Sequence, residues 1–209
     1  MLGRKSILLS ILSLLLFALS VEARGLEEDF PRLNIGAGAG VFRLSIAHFE
    51  HYYGSRFGAV YAGHLGYALS PSSLLLIKGR YFAKEHTARD VSTQRLQERF
   101  WEERWLCLGY RRYSPVFRGD ARTFFGFGLV FFFIDERKDG DFLVSEGFQS
   151  RRHRPKGFFV SGGYEHYLTD QFTLYLEIEL SSAGLKGNTL ESESVGGIYV
   201  GWGINLLFF

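Results

Sequence analysis

A chain of 209 residues with 46% hydrophobic and 17% aromatic side chains has apolar surface for one folded domain, or two small ones, and is no disordered protein. Its formal charge of +2 gives no electrostatic footprint for nucleic acid, and a single cysteine, Cys107, excludes an intramolecular disulfide framework. The 25 glycines against 4 prolines point to strands meeting at close range.

The chain opens with Arg4 and Lys5, an apolar run from Ile7 to Leu19, and the small-x-small sequence Val21-Glu22-Ala23. This is the layout of a secretory signal peptide cut after Ala23. The run is short of the ~20 residues that a spanning helix needs, and no cysteine follows it to carry a lipid anchor. The expected organisation is an export segment, 1–23, and one domain, 24–209.

Period-two alternation then recurs along the chain. Residues 33–42 place Leu33, Ile35, Ala37, Ala39 and Val41 on one face, with Asn34 and three glycines opposite. Residues 57–69 place Phe57, Ala59, Tyr61, Leu65, Tyr67 and Leu69 against Gly58, Ala62, His64, Gly66 and Ala68. After the turn Ser70-Pro71-Ser72-Ser73, the third expected strand (74–83) sets Leu75, Ile77 and Tyr81 against Lys78 and Arg80. The fourth, about 100–113, sets Leu106, Leu108 and Tyr110 against Cys107, Gly109 and Arg111, but its first half, WEERW, fits neither template. The fifth (123–134) has Phe125, Phe127, Leu129, Phe131 and Phe133 opposite Gly126, Gly128, Val130 and Phe132. The sixth (158–168) opposes Phe158, Val160, Tyr164 and Leu168 to Ser161, Gly163 and Glu165. In the seventh, Phe172, Leu174, Leu176, Ile178 and Leu180 oppose Thr173, Tyr175, Glu177, Glu179 and Ser181. The eighth, 195–209, puts Ile198, Val200, Trp202, Ile204, Leu206 and Phe208 on one face and Tyr199, Gly201, Gly203 and Asn205 on the other.

Eight strands of this length suit a tilted crossing of a hydrocarbon layer. Connections alternate: short around 70–73, 114–121 and 169–171, long and polar around 44–56, 84–99, 135–157 and 181–194. A soluble sandwich has no reason to keep long loops on every second connection; a barrel with turns on one side of a membrane and loops on the other does. Glycine and alanine crowd the polar face as a narrow lumen requires. Large aromatics stand near the ends of the apolar face (Phe57, Tyr67, Tyr110, Phe172, Phe208), where interfacial girdles lie. The expected fold is all-β: an eight-stranded antiparallel up-and-down transmembrane barrel.

The chain's last residues, with Gly203, Leu206 and Phe208 in series and Phe209 beyond, resemble the C-terminal assembly signal of outer-membrane barrels. Gly162–Leu180, GGYEHYLTDQFTLYLEIEL, adds a Gly-rich strand, a short turn and a strand with inward glutamates. On these features the chain resembles the small outer-membrane barrels of the OmpA/OmpX type, in the outer membrane protein β-barrel domain family. The resemblance implies a monomer in the bacterial outer membrane, in contact with its lipid and lipopolysaccharide and inserted by the barrel assembly machinery. Such barrels have an inward salt-bridge network that closes the channel.

Here the inward charges are Lys78, Arg80, Arg111, Glu165, Glu177 and Glu179, with His64 nearby; Lys78, Arg80, Glu177, Glu179 and His64 share a mid-lumen depth. The third and seventh strands face each other across the ring, so these side chains are expected to pair and plug the lumen. The alternative is a narrow pore or transporter for small molecules, hydrophobic ones included. An enzyme acting on lipid A, as some barrels of this size are, needs a serine and a histidine together at the outer lipid face. His166 and Thr169 lie at the turn end, and His48 and His51 have Ser45 and Ser55 only as loop neighbours, so no catalytic residue is assigned. Arg151, Arg152, Arg154 and Lys156, in the third long loop, are expected as a basic rim suited to lipopolysaccharide phosphates. GAGAG at Gly36–Gly40 precedes no helix pattern, and no cofactor or metal site is expected.

Overall fold

The computed structural model describes residues 30–46, 49–89, 96–114, 120–139, 150–184 and 194–209; the expected export segment lies outside them. The strands are β1 (Leu33–Leu44), β2 (Phe57–Ser70), β3 (Ser73–Arg89), β4 (Leu96–Tyr113), β5 (Ala121–Asp139), β6 (Ser150–His153), β7 (Lys156–Tyr167), β8 (Phe172–Gly184) and β9 (Ser194–Phe208). A short helix, α1 (Phe49–Tyr53), sits between β1 and β2. β6 and β7 are one strand interrupted at Arg154-Pro155. Both pair with β5 in one unbroken register, and Phe132 N bonds to Pro155 O across the gap at 2.9 Å. Eight strand positions therefore form the ring, each antiparallel to its sequence neighbour, and β9 closes it against β1.

Register gives the barrel its shear. A path through paired residues runs Leu33, Tyr67, Leu75, Tyr110, Phe127, Val160, Leu180, Ile198 and returns to β1 at Arg43, ten residues further on. Strands in such a closed sheet tilt by roughly 35–45° to the axis. On every strand the faces follow the predicted parity. Ile35, Leu65, Ile77, Leu108, Leu129, Val160, Ile178 and Trp202 are exposed on the outside, and Asn34, His64, Lys78, Arg111, Ser161, Glu177 and Asn205 are buried within.

The long-loop boundaries need correction. Much of 84–99 and 135–157 is strand: β3 continues to Arg89, β4 starts at Leu96, β5 continues to Asp139, and β6 begins at Ser150. The 44–56 segment contains α1, which ends where Gly54 (φ 74°) donates its N–H to Glu50 O at 2.9 Å. The alternation was hidden because the solvent changes side. Within the apolar belt the outside is apolar and the inside polar; beyond it the outside is charged and the inside a packed apolar core. WEERW shows the inversion: Trp101, Glu103 and Trp105 are buried, while Glu102 and Arg104 point out. On this side the last large apolar side chains exposed on the outside are Tyr81 on β3, Leu106 on β4 and Phe133 on β5.

Candidate functional site

Two features stand out: the filled interior and a charged band on the outer wall. The interior is layered. Beyond the belt, Phe42, Phe49, Tyr53, Phe82, Trp101, Trp105, Phe132 and Ile134 form an apolar layer. α1 is part of it: Phe49 stacks on Tyr53 with centroids 4.4 Å apart, both meet Trp101 edge-on, and Tyr53 donates to Glu136 at 2.7 Å. Glu103 lies in this layer, fully buried, accepting hydrogen bonds from the indoles of Trp101 (3.1 Å) and Trp105 (2.5 Å). Burial outweighs these two donors and pushes its carboxyl up to about 7.

Within the belt the interior is ionic. β3 and β8 are four strand steps apart in either direction, hence diametrically opposed. Lys78 Nζ reaches Glu177 Oε1 at 2.9 Å and also bonds to Glu179. Arg80 bonds to Glu177 at 3.2 Å and to both oxygens of Glu179, at 2.5 and 3.1 Å. Arg111 contributes Nη2 to Glu177 Oε1 at 3.1 Å. Aromatic rings flank the cations: Arg80 lies over Tyr199 (3.8 Å), Lys78 over Phe159 (4.4 Å) and Arg111 over Phe124 (3.8 Å).

Nearer the short turns, a second cluster forms around Glu165. Arg122 pairs with it at 2.8 Å, and Asn205 Nδ2 and Thr173 Oγ1 donate to its other oxygen at 2.6 and 2.5 Å. Cross-strand register makes this local, because Arg122 sits opposite Glu165 and Thr173 opposite Asn205. His64 stands apart from the ion pairs: its Nε2 is 3.3 Å from Asn34 Oδ1, and its ring meets Tyr175 edge-on.

Arg122 and Glu103 were not singled out in the sequence. Arg122 falls one residue before the expected start of the fifth strand, yet shares the parity of Phe124 and Gly126. Glu103 shares the parity of Trp101 and Cys107 and was obscured by the inversion.

The basic run is strand rather than loop. Arg152 and Arg154 stand on the outer wall, each 3.4 Å from Asp135, and Lys156 lies over the Phe131 ring at 5.8 Å. Asp135 also accepts from Arg104 at 2.7 Å. Partial burial would raise this carboxyl, but the Arg104 hydrogen bond and the Arg154 charge hold it below its ordinary range. Arg151 alternates to the other face and is half-buried.

At the closing seam, Gly203 and Asn205 face inward, and Leu206 and Phe208 outward. Phe208 pairs with Leu33, and Phe208 O accepts from Arg32 N at 2.7 Å. Phe209 follows, exposed.

Of the serines weighed for catalysis, Ser45 donates to the carbonyls of Ser194 (3.1 Å) and Gly196 (3.0 Å), and Ser55 caps its own turn at Phe57. His48 lies outside the described residues. Among the described residues, no group of three or more His, Cys, Asp and Glu side chains is placed to hold a metal ion.

A closed sheet with polar side chains buried inside and an apolar outer belt is a transmembrane β-barrel, since that belt would aggregate in water. Its fold is that of small bacterial outer-membrane barrels. Neisserial surface protein A superposes with a TM-score of 0.62 at 12% identity, covering 87% of this chain and 100% of that one. The N-terminal β-barrel domain of Pseudomonas aeruginosa OprF gives 0.51 at 15% identity, covering 86% and 100%. Ail, the attachment invasion locus protein of Yersinia pestis, in complex with the heparin analogue sucrose octasulfate, gives 0.51 at 11%, covering 85% and 100%. No family model and no curated protein matches the sequence.

Proposed function

We propose that this barrel is a non-enzymatic, non-conducting envelope protein that acts through its outer wall and external loops while its interior serves as a structural plug. The observation that carries this reading is the contact of Lys78 and Arg80 with Glu177 and Glu179 across the full width of the ring. An eight-strand interior is just wide enough for side chains to fill. The aromatic layer joined by α1 supports the same reading, because it adds a dry barrier between the ionic layer and the external side.

Recording in planar bilayers tests the proposal. The wild-type protein should give no steady single-channel steps, and regular ohmic steps from correctly folded protein would overturn it.

A further inference from the structure

The outer wall of β4, β5 and the β6–β7 strand carries a grid set by register. Glu102, Asp135 and Arg152 are paired in one row, and Arg137 stands one row above Asp135, opposite Ser150. Beneath, Arg104 pairs with Phe133, and Arg154 lies over the Phe133 ring at 5.4 Å. The next row is Leu106, Phe131 and Lys156.

Four guanidinium groups thus surround two carboxylates, with Lys156 one row below. Asp135 is shared by three guanidinium groups, Arg104, Arg152 and Arg154, and Glu102 by Arg104 (3.3 Å) and Arg137 (3.5 Å). A guanidinium has five N–H donors, so the two carboxylates, with the Ile134 and His153 carbonyls that Arg154 Nη1 reaches at 3.1 and 2.9 Å, leave most of the cluster's donors unspent. The side chains of Arg104, Arg137, Arg152 and Arg154 are 53%, 63%, 78% and 43% exposed.

Direction and depth identify the occupant. The cations project sideways from the barrel wall, not into its mouth. They stand just above the lipid-facing residues Leu106, Phe131 and Phe133, with Arg154 and Lys156 resting on aromatic rings of the belt, so their heads lie where a lipid headgroup sits. Planar forks at that depth match phosphate oxygens.

We propose that Arg104, Arg137, Arg152, Arg154 and Lys156 form a binding site for the phosphates of an outer-leaflet glycolipid, lipopolysaccharide, an inference that rests on the outer-membrane, surface-acting reading and deepens it. Asp135 and Glu102 hold the arginine heads apart and oriented in the absence of lipid. The basic run 151–156 supplies only part of the site; Arg104 and Arg137 come from strands that folding brings alongside.

The test uses the full chain in zwitterionic detergent, titrated with lipopolysaccharide, with the same lipopolysaccharide stripped of phosphate, and with inorganic phosphate as competitor. The variant R104Q/R137Q/R152Q/R154Q should bind lipopolysaccharide about tenfold more weakly, as expected for several exposed charge contacts of small individual worth. Dephosphorylated lipopolysaccharide should bind both proteins equally, at the weak level, and equimolar inorganic phosphate should displace little. Equal binding by variant and wild type, full-strength binding of the stripped lipid, or displacement by equimolar phosphate would each overturn the site. Should the fourfold variant not fold, R152Q alone and added salt must each weaken wild-type binding measurably, and no change in either refutes the site. Conductance recorded on the same samples separates this outcome from failure of the plug reading, which does not involve these residues.

Discussion

Glu177→Gln is the most informative single change. The carboxylate is 3% exposed and accepts from Lys78 at 2.9 Å, Arg80 at 3.2 Å and Arg111 at 3.1 Å. After substitution Lys78 and Arg80 keep Glu179, but Arg111, fully buried, loses the only carboxylate at ion-pair distance among the described residues. Breaking a buried ion pair from one side costs about 3–5 kcal/mol, because an uncompensated charge remains. Urea unfolding in detergent micelles or bilayers should show a loss of that size. Adding Arg111→Met, which removes the stranded cation, should restore stability, with a coupling of about 1–3 kcal/mol in the double-mutant cycle. A loss below about 1 kcal/mol for the single variant, or additive effects of the two, would refute the ionic layer as drawn.

Glu103 predicts a pH dependence. Its folded-state carboxyl is pushed up to about 7 from an ordinary 4.5, so between these values the folded protein binds more protons than the unfolded chain. Its contribution to stability is complete below about 4.5 and is lost as pH rises through 7, by roughly 3 kcal/mol across the window. Glu103→Gln should flatten that part of the stability-against-pH curve; an unchanged slope would count against it. Trp101→Ala should cost about 3–5 kcal/mol by removing a buried indole and one of the Glu103 donors, measured by the same unfolding. Gly36→Val should cost about 1–3 kcal/mol, since a Cβ there would lie 2.2 Å from His64 Cε1 and 2.5 Å from Asn205 Oδ1. Removing Phe208 and Phe209 deletes the Leu33 pairing and the Arg32 bond at the seam, so fractionation should find the truncated protein exported but poorly inserted; normal insertion would refute the assembly-signal reading.

Side-chain parity was legible in the sequence because a strand has a period of two and this one is solvated differently on each side. That was enough to put Lys78, Arg80, Arg111, Glu165, Glu177 and Glu179 inside, and Ile198, Val200, Trp202, Ile204, Leu206 and Phe208 on the outer face. It also sufficed for the strand positions, since each run between turns matches a membrane crossing. Parity fails where the solvent reverses: above the belt Trp101 and Glu103 turn inward and Arg104 outward, so WEERW carries no single-template pattern and polar strand ends read as loop.

Partnership was decided only by the closed sheet. The ten-residue shear and the opposition of β3 to β8 determine that Glu177 meets Lys78 and Arg80, with Arg111 reaching it from β4, while the β5–β7 register sets Arg122 opposite Glu165. The same register lays Arg104 and Arg137 beside Arg152 and Arg154, far apart in the chain but neighbours on the wall. Local periodicity says which way a side chain points; what it meets depends on how far each strand slides against the next, and that is settled only when the ring closes.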